Sequence, residues 1–302
     1  MDISIVIVSY NVKEYIISCI QSIYKHSGTD LSFEIIVVDN NSHDGSKEKL
    51  KKEFSKVSLI ENNYNAGFSI AVNQGVRKSL GKYLFILNPD TLFIEDSLGK
   101  LMKEAQNRYK LGVIGPALIS EKGTIHQSYW KDPSLINTIL SIYHLDFINY
   151  RKNYKNIKFD KILNVDSISG GAFFIEKNVF NQLSGFDNNL FWMEDIDLCI
   201  RLRKLGYNNY YFPFTKIIHF IGKSVDKNYK VAISNQLISK IKFFYTHHSK
   251  FEAFIVLCFI LNISIIKLVT MLVIAPFSKI YRKKSVAYLY TIFSILSYRF
   301  KN

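Results

Sequence analysis

Short apolar runs alternate with amphipathic stretches over the first 115 residues of the chain. Runs rich in β-branched residues cover 3–8, 34–38, 57–60 and 83–87, and each is followed by a polar loop and then a helical pattern. This alternation predicts βαβ units and a mostly parallel sheet. Because each polar loop would then open at the carboxyl end of a strand, we expect these loops to bind the ligand.

The pattern weakens from 116 to about 166, where aromatic residues are frequent, and we expect a variable region of loops and helices there. A small-residue turn at 169–172 then leads into a strand ending near 175, and a helix is predicted to begin near Glu194. A further strand is predicted around 209–214. Together these features predict one α/β domain over 1–226, followed by a helical segment over 227–302.

The C-terminal segment contains an apolar stretch, 253–276, that is interrupted by Lys267 and by three polar residues. The charge-free part before Lys267 has 14 residues, whereas a spanning helix needs about 20 apolar residues. A single span would also carry the basic cluster at 279–284 to the far side of the membrane. We therefore predict in-plane or re-entrant helices, with a true span and a soluble helical subdomain as alternatives.

The net charge is strongly positive, at +14 over 302 residues, of which 48% are hydrophobic. Such a charge suits a nucleic-acid binder, an anionic membrane surface or an enzyme of phosphorylated substrates. No reading helix, zinc finger or RNA-binding sheet motif is present, so no nucleic-acid partner is expected. The basic cluster beside apolar segments favours a membrane surface instead.

The cysteines and the N-terminus bear on the cellular compartment. Cys19, Cys199 and Cys258 are far apart and form no CxxC pattern, which argues against a disulfide framework or a structural zinc site. The first residues, MDISIVIVSYN, lack the basic start and the long apolar core of a signal peptide. A reducing compartment, at the cytoplasmic face of the cell membrane, is the expected location.

Polar residues follow the first two predicted strands. The first loop holds Ser9, Tyr10 and Asn11, and the second begins with Asp39. A carboxylate at the end of a strand can accept hydrogen bonds from a base imide or a ribose hydroxyl. The alternative is that residues 39–46 only turn the chain and cap the next helix.

The two commonest phosphate-binding loops, GxGxxG and GxxxxGK[ST], do not occur in the chain. Another segment would therefore have to bind phosphate. The sequence Asn88-Pro89-Asp90 directly follows the strand at 83–87. Asp90 offers a hard oxygen ligand of the kind that Mg²⁺ or Mn²⁺ prefers, and such an ion would neutralise a departing nucleoside diphosphate. The alternative is an ordinary Asn-Pro-Asp turn.

Acidic residues follow bulky apolar ones at 191–197. Glu194 and Asp195 lie in the predicted first turn of a helix, where the helix dipole alone would favour them. Neighbouring aromatics would partly desolvate these carboxylates and raise the pKa toward that of a useful general base. Trp192 offers an aromatic face on which a sugar ring can pack.

Taken in order, these motifs resemble glycosyltransferase family 2, the inverting enzymes of GT-A fold, and in particular its bacterial rhamnosyltransferase-like branch. The resemblance covers about residues 1–248. It is carried by IVIVSYN at 5–11, VVDNNSHDGS at 37–46, NAGF at 65–68 with Asn73, NPD at 88–90, the Gly170-Gly171 turn, EDIDL at 194–198 and His219.

The resemblance implies a role for each matching residue. Donor binding falls to the strand-end loops and the helix after them, namely Ser9, Tyr10, Asn11, Asp39, Asn65, Gly67, Asn73 and Asn88. Acceptor contacts fall to Gly170, Gly171, Trp192 and Glu194, and Asp195 matches the catalytic base. Asp90 matches the last acid of a DxD metal motif, with His219 near the metal or the diphosphate. Asn88 stands where many members have the first Asp, which weakens the charge of the site.

The implied reaction is a single in-line displacement with inversion at the anomeric carbon. The expected cofactor is Mg²⁺ or Mn²⁺, and the expected donor is a nucleotide diphosphate sugar, such as dTDP-rhamnose or a UDP-sugar. The expected acceptor is a hydroxyl of a glycan or polyprenyl-linked glycan in cell-surface polysaccharide synthesis. A non-catalytic nucleotide-sugar or carbohydrate binding module with the same fold is the alternative.

Overall fold

The computed structural model describes residues 1–28, 30–145, 160–220 and 229–297. They belong to two compact units. The first, which we call the sheet unit, comprises Met1–Asp132, Lys158–Asn188 and Glu194–Ser224. The second, the helical unit, comprises Pro133–Ile157, Asn189–Met193 and Val225–Asn302.

The sheet unit alternates strands and helices over its first half and becomes mixed in its second. Its elements in chain order are β1 (Ile3–Ser9), α1 (Lys13–His26), β2 (Phe33–Asp39), α2 (Ser46–Glu53), β3 (Ser58–Glu61), α3 (Phe68–Lys78), β4 (Tyr83–Leu87), β5 (Thr91–Phe93), α4 (Ser97–Gln106), β6 (Leu111–Ile119) and β7 (Tyr129–Trp130). After α5 (Leu135–Ile142), which belongs to the helical unit, follow β8 (Leu163–Val165), β9 (Ser167–Ile168), β10 (Ala172–Glu176), α6 (Lys177–Gln182), α7 (Glu194–Lys204) and β11 (Asn208–His219).

Nine of the strands in the described chain form one sheet in the order β3-β2-β1-β4-β10-β6-β11-β5, with β8 also pairing to β11. The pairs β3-β2, β2-β1, β1-β4 and β6-β11 are parallel, and β10 runs antiparallel to both of its neighbours. The mostly parallel sheet predicted for the first half of the chain is therefore confirmed.

The core lies on both faces of the sheet, because the central strands carry buried apolar side chains on both sides, as Ile5 and Val6 of β1 do. One face of β1 (Ile3, Ile5 and Ile7) packs with α1, whose apolar side chains are buried. The other face is covered by α3, and Gly75 lets that helix approach Val6 closely, since a Cβ at position 75 would overlap the valine side chain.

The helical unit contains α5 and three longer helices, α8 (Tyr229–His247), α9 (Lys250–Ile274) and α10 (Lys279–Ser297), with a short 3₁₀ turn (Ala275–Phe277) between the last two. Ser249 and Glu252 form a reciprocal capping box at the start of α9. The helical C-terminal segment predicted from sequence is thus present. Two upstream stretches, 133–157 and 189–193, also group with this unit, and the boundary between 226 and 227 stays a prediction.

Candidate active site

The ends of β1 and β2 bring two of the predicted donor residues side by side. Ser9 and Asp39 are register partners on these parallel strands, and both are fully buried. The Asp39 Oδ1 atom accepts a 2.8 Å hydrogen bond from the N–H of Ser42. Within the described chain, the Ser9 hydroxyl and the Asp39 Oδ2 atom have no hydrogen-bond partner. A buried polar atom left without a partner costs about 1–3 kcal/mol, so this pair is suited to bind a polar ligand.

The loops after β1 and β2 hold each other in place. The Asn11 side chain accepts a 2.8 Å hydrogen bond from the N–H of His43, while its own N–H donates to Ser42 Oγ at 2.9 Å. Asp44 accepts a 2.7 Å bond from the N–H of Lys13 and so caps α1 from the other loop. Asn11 thus shapes this edge through the loops, and Tyr10 is half-buried beside it.

The third loop, at 65–67, starts α3. Asn65 is exposed and accepts a 3.0 Å hydrogen bond from the N–H of Gly67. Gly67 has φ +83°, which L side chains rarely adopt, and its carbonyl accepts a 3.2 Å bond from the buried Asn40 amide. The structure therefore joins Gly67 to the residue that directly follows Asp39.

Asn73 is placed differently from the other predicted donor residues. Its amide donates to the Phe186 carbonyl at 2.8 Å and to Asn188 Oδ1 at 2.9 Å, and its oxygen accepts from the Phe186 N–H at 3.1 Å. These bonds engage both ends of the amide and anchor the loop before α7. Both polar atoms of the Asn73 amide thus have partners within the sheet unit. A contact of Asn73 with the donor stays a prediction.

Asp90 lies at the centre of a second polar cluster, next to the strand at the middle of the sheet. It is buried, and its Oδ1 atom lies 3.3 Å from Nε2 of His219, which β11 brings alongside β5. The Asp90 carbonyl accepts a 2.9 Å bond from the N–H of Phe220. Two residues that are 129 positions apart in sequence are thereby fixed as neighbours.

The Gly170-Gly171 turn connects this cluster to the acidic helix. The Gly171 carbonyl accepts a 3.0 Å bond from the N–H of Asn88, and a Cβ on Gly171 would lie 3.3 Å from His219 Cε1. The Gly170 N–H donates to Asp195 Oδ2 at 2.7 Å. Gly171 therefore lies against Asn88 and His219, and Gly170 holds Asp195.

Asp195 and Glu194 open α7 in a desolvated setting. Asp195 Oδ1 accepts a 2.8 Å bond from the N–H of Ile196, and Glu194 Oε2 is buried without a hydrogen-bond partner in the described chain. Burial raises the pKa of Asp195 above its usual range, although the N–H groups of Gly170 and Ile196 oppose the shift. Burial, and then the Asp195 charge, raises the pKa of Glu194 to about 8. A carboxylate whose pKa is raised in this way is a stronger base, when ionised, than an exposed carboxylate.

Asp197, the third acid of this stretch, has a structural role. It forms an ion pair with Arg201, which also donates to the carbonyls of Leu183 and Gly185 at 2.8 and 2.9 Å. These bonds tie α7 to the loop that precedes it. Asp195 and Glu194 are therefore the acids of this stretch that stay candidates for proton transfer.

The predicted acceptor contact Trp192 belongs to the helical unit and is 41% exposed. Its neighbour Phe191 donates its N–H to Ser239 Oγ on α8 at 3.2 Å, and Lys242 donates to the Asn189 carbonyl at 2.9 Å. Met193, directly before the acid pair, has φ +74°, a rare conformation for a residue other than glycine. A role for Trp192 in binding the acceptor stays a prediction.

The chemistry of Asp90 and His219 suits a divalent ion. A carboxylate oxygen and an imidazole nitrogen, 3.3 Å apart, are donors that Mn²⁺ accepts in proteins. No group of three His, Cys, Asp or Glu side chains that could hold a metal occurs among the residues described. Asp90 and His219 could therefore supply two ligands of a divalent ion.

His126 is a neighbour of this cluster that the sequence patterns did not indicate. Its N–H donates to the Leu118 carbonyl at 2.8 Å, and burial together with the nearby His219 imidazole lowers its pKa. It lies in the stretch 116–166, where the apolar pattern is weak. No motif singled it out for that reason.

The comparisons with known proteins agree on the family. The family model described as "Glycosyl transferase family 2" matches residues 4–184, which is more than half of the chain. The chain is 25% identical over 219 residues to the N-acetylglucosaminyl-diphospho-decaprenol L-rhamnosyltransferase of Mycobacterium tuberculosis, covering 66% of this chain and 70% of that protein. It is 27% identical over 224 residues to the rhamnosyltransferase WbbL of Escherichia coli, covering 72% and 82%.

Solved structures show the same fold. The mannosyltransferase PcManGT from Pyrobaculum calidifontis, solved with GDP-Man and Mn²⁺, matches 98% of this chain and 87% of its own, with a TM-score of 0.57 and 15% identity. GalNAc-T7, solved with UDP, GalNAc and Mn²⁺, matches 82% of this chain and only 51% of its own, with a TM-score of 0.58 and 18% identity. The predicted GT-A type fold is confirmed, and by its sequence this chain belongs to glycosyl transferase family 2.

Proposed function

We propose that the protein is an inverting, metal-dependent glycosyltransferase that moves a sugar from a nucleotide diphosphate sugar to a hydroxyl of a lipid-linked glycan. The observation that carries this proposal is the Gly170-Gly171 turn, which holds Asp195 on one side and lies against Asn88 and His219 on the other. The candidate base Asp195 and one candidate metal ligand, His219, thus both lie against one short turn of the sheet unit.

The donor would lie along the strand ends. Ser9 and Asp39 offer a hydroxyl and a carboxylate oxygen that lack partners in the described chain, which suits hydrogen bonding to the base or the ribose. Asn65 and Gly67 would border the nucleotide through the loop that Asn40 holds. A divalent ion on Asp90 and His219 would offset the charge of the departing diphosphate.

Asp195 would remove the proton of the attacking hydroxyl. Its two oxygens are oriented by backbone N–H groups, and burial raises its pKa, so the ionised form is a stronger base than an exposed aspartate. Glu194 beside it would keep a proton near neutral pH and donate to an acceptor oxygen. A single displacement needs only one base, because no covalent glycosyl intermediate is formed.

The finer identity of the substrates rests on similarity. The relatives from M. tuberculosis and E. coli are named as rhamnosyltransferases, and the first acts on a diphospho-decaprenol carrier by its name. We therefore propose an activated L-rhamnose donor, such as dTDP-rhamnose, and a polyprenyl-linked acceptor at the cytoplasmic face of the membrane. The products would serve cell-surface polysaccharide synthesis.

The test is a screen of the purified full chain against nucleotide sugars, with and without Mn²⁺ or Mg²⁺, that measures donor binding, donor hydrolysis and transfer to a polyprenyl-linked acceptor. We expect turnover that needs the ion, and we expect Asp90→Ala to abolish this turnover. Glu53→Gln, which changes an exposed acid on α2, is the matched control. Donor binding without turnover in every condition would favour the alternative, a binding module. The asparagine at position 88 is the observation that supports that alternative.

A further inference from the structure

The helices α9 and α10 each have one buried side. On α9 the residues that recur on this side are Ala253, Val256, Ile260, Ile263 and Ser264, and all are buried. On α10 the corresponding residues are Ser285, Ala287, Thr291 and Ile295. Both helices pack against each other and against α8, so the inner sides of the pair are accounted for by contacts inside the helical unit.

The outer sides of the same helices are apolar. On α9 and the turn after it, Val273 is 71% exposed and Phe277 is 87% exposed. The exposed apolar residues on this side of α9 include Phe251, Phe254, Cys258, Ile265 and Val269, which are spaced by one or two helical turns. A helix on the surface of a soluble protein carries charged residues on this side, and a contiguous apolar patch marks a binding surface.

The charged residues of this segment are almost all basic. Residues 250–297 contain a single acid, Glu252, and six cations. Arg282 and Lys283 are exposed on the first turns of α10, directly after the turn at Phe277. The same outer side of α10 continues with apolar residues that include Val286, Phe293 and Leu296. A surface that joins exposed aromatics to clustered cations is complementary to the head groups and outer acyl chains of anionic lipids.

We propose that the outer side of α9 and α10 binds an anionic lipid bilayer, with both helices lying in the plane of one leaflet. Lys250–Phe277 is long and apolar enough to cross a membrane by length and composition. A crossing would bury Lys267 in the hydrocarbon and carry the cations at 279–284 to the far side, against the usual distribution of basic residues. In the plane, these cations reach the phosphate layer.

This binding does not depend on the transfer reaction. The surface lies wholly within the helical unit, and none of the residues assigned to proton transfer or to the metal contributes to it. An Asp195→Asn variant is therefore expected to bind vesicles as the parent protein does. A failure of the catalytic proposal and a failure of this one are separate experimental results.

A natural cysteine on the outer side of α9 allows this binding to be measured. Cys258 is exposed on the outer side of α9, whereas Cys19 and Cys199 are buried, so a polarity-sensitive maleimide dye will label Cys258 in the native protein. We expect the dye to gain fluorescence with vesicles that contain phosphatidylglycerol and to change little with phosphatidylcholine alone. Replacing two cations, Arg282→Gln with Lys283→Gln, should weaken partitioning about 25-fold, at about fivefold for each cation.

The matched control is Arg77→Gln with Lys78→Gln, which removes the same charge from exposed positions at the end of α3 in the sheet unit. Equal losses in both double variants would show a non-specific effect of net charge and would overturn the proposal. A Cys258 label already shielded in lipid-free protein that is dimeric in solution would also overturn it, because a second copy would then cover the surface.

The in-plane arrangement has its own readout. In a Cys258→Ser, Phe277→Cys variant, a dye at position 277 should be reduced by dithionite added outside the vesicles as fast as a dye at position 258 of the parent. Protection of position 277 until detergent is added would place the turn on the far side of the bilayer. That result would replace the in-plane arrangement by a crossing one.

Discussion

The two units depart from the usual distribution of polar and apolar residues in opposite ways. The sheet unit buries charged and hydroxyl groups at its strand ends, with Asp39 fully buried and Asp90 only 1% exposed. The helical unit exposes large apolar groups, up to 87% for Phe277. Both arrangements cost free energy in an isolated protein. Buried polar atoms need hydrogen-bond partners, and exposed apolar patches leave apolar surface in contact with water.

The two distributions suit different binding partners. In the described part of the sheet unit, the buried Ser9 hydroxyl and Asp39 Oδ2 have no hydrogen-bond partner, which suits a small polar ligand such as a nucleotide sugar. An exposed apolar side bordered by cations suits an extended surface such as a lipid leaflet. The cost in each unit is thus offset by a different partner, and variants of one unit should leave the binding of the other partner intact.

Two substitutions on α7 distinguish the loss of catalysis from the loss of stability. In Asp195→Asn the amide oxygen can accept only one of the two backbone N–H bonds, from Gly170 or from Ile196, and the proton acceptor is lost. We expect kcat to fall about 10²- to 10⁴-fold in protein that still folds cooperatively, measured by transfer kinetics and thermal unfolding.

Asp197→Asn is the matched change two residues along α7. It weakens the buried pair with Arg201 and should cost about 3 kcal/mol of unfolding free energy. Transfer per folded molecule should stay near that of the parent. If Asp195→Asn kept its activity while Asp197→Asn lost it in folded protein, the assignment of the base would be wrong.

The next effect concerns pH. The pKa of Glu194 is raised from 4.5 to about 8 by burial and by Asp195. Between these values the folded protein holds a proton that the unfolded chain has released, so raising the pH lowers the free energy of unfolding. Glu194→Gln removes this penalty. We expect the variant and the parent to be alike near pH 4.5, and the variant to be more stable by about 4 kcal/mol near pH 8, because each pH unit between these values contributes about 1.4 kcal/mol.

Denaturant unfolding at several pH values measures this difference. Glu53→Gln, which changes an exposed acid on α2, is the control and should give a constant difference from the parent. A stability gain of Glu194→Gln that does not grow with pH would contradict the protonated state of this side chain.

A smaller effect probes the turn that joins the two parts of the site. A Cβ at position 171 would lie 3.3 Å from His219 and 3.4 Å from Leu118, so these neighbours have to move by a few tenths of an ångström. Because small displacements of catalytic groups lower the rate steeply, we expect Gly171→Ala to lower kcat/KM about tenfold. Gly170→Ala places its Cβ at an ordinary 3.5 Å from Asp195 and should change the rate less. The reverse order would show that Gly170 is the more constrained position.

The sequence predicts the first half of the fold well, for a local reason. Strands such as Tyr83–Leu87 are continuous apolar runs, and their bounds follow from composition alone. The strand Leu111–Ile119 was not predicted, because Gly115 and Pro116 interrupt its pattern. The structure explains Gly115, since Ile168 packs where its Cβ would lie. That requirement comes from a residue more than 50 positions away.

The candidate site divides in the same way. Motifs indicated Asp39, Asp90 and Asp195 correctly as residues at strand ends or in a first helical turn. No pattern could show that Gly170 holds Asp195, or that the Asn73 amide is engaged by Phe186. These contacts join distant segments, and spacing within one segment contains no information about them.

The smallest expected effect lies in the helical unit, at the start of α9. Ser249 accepts a 3.2 Å bond from the N–H of Glu252, and loss of such a cap costs about 1 kcal/mol. In Ser249→Ala we expect amide hydrogen exchange in the first turn of α9 to be about fivefold faster than in the parent. Thr270→Ala is the control, because Thr270 bonds only a carbonyl of its own helix in the described contacts. Bound anionic vesicles should reduce the difference, since the lipid then holds Phe251 and Phe254 in place of the cap. An unchanged difference on vesicles would mean that the start of α9 does not contact the bilayer.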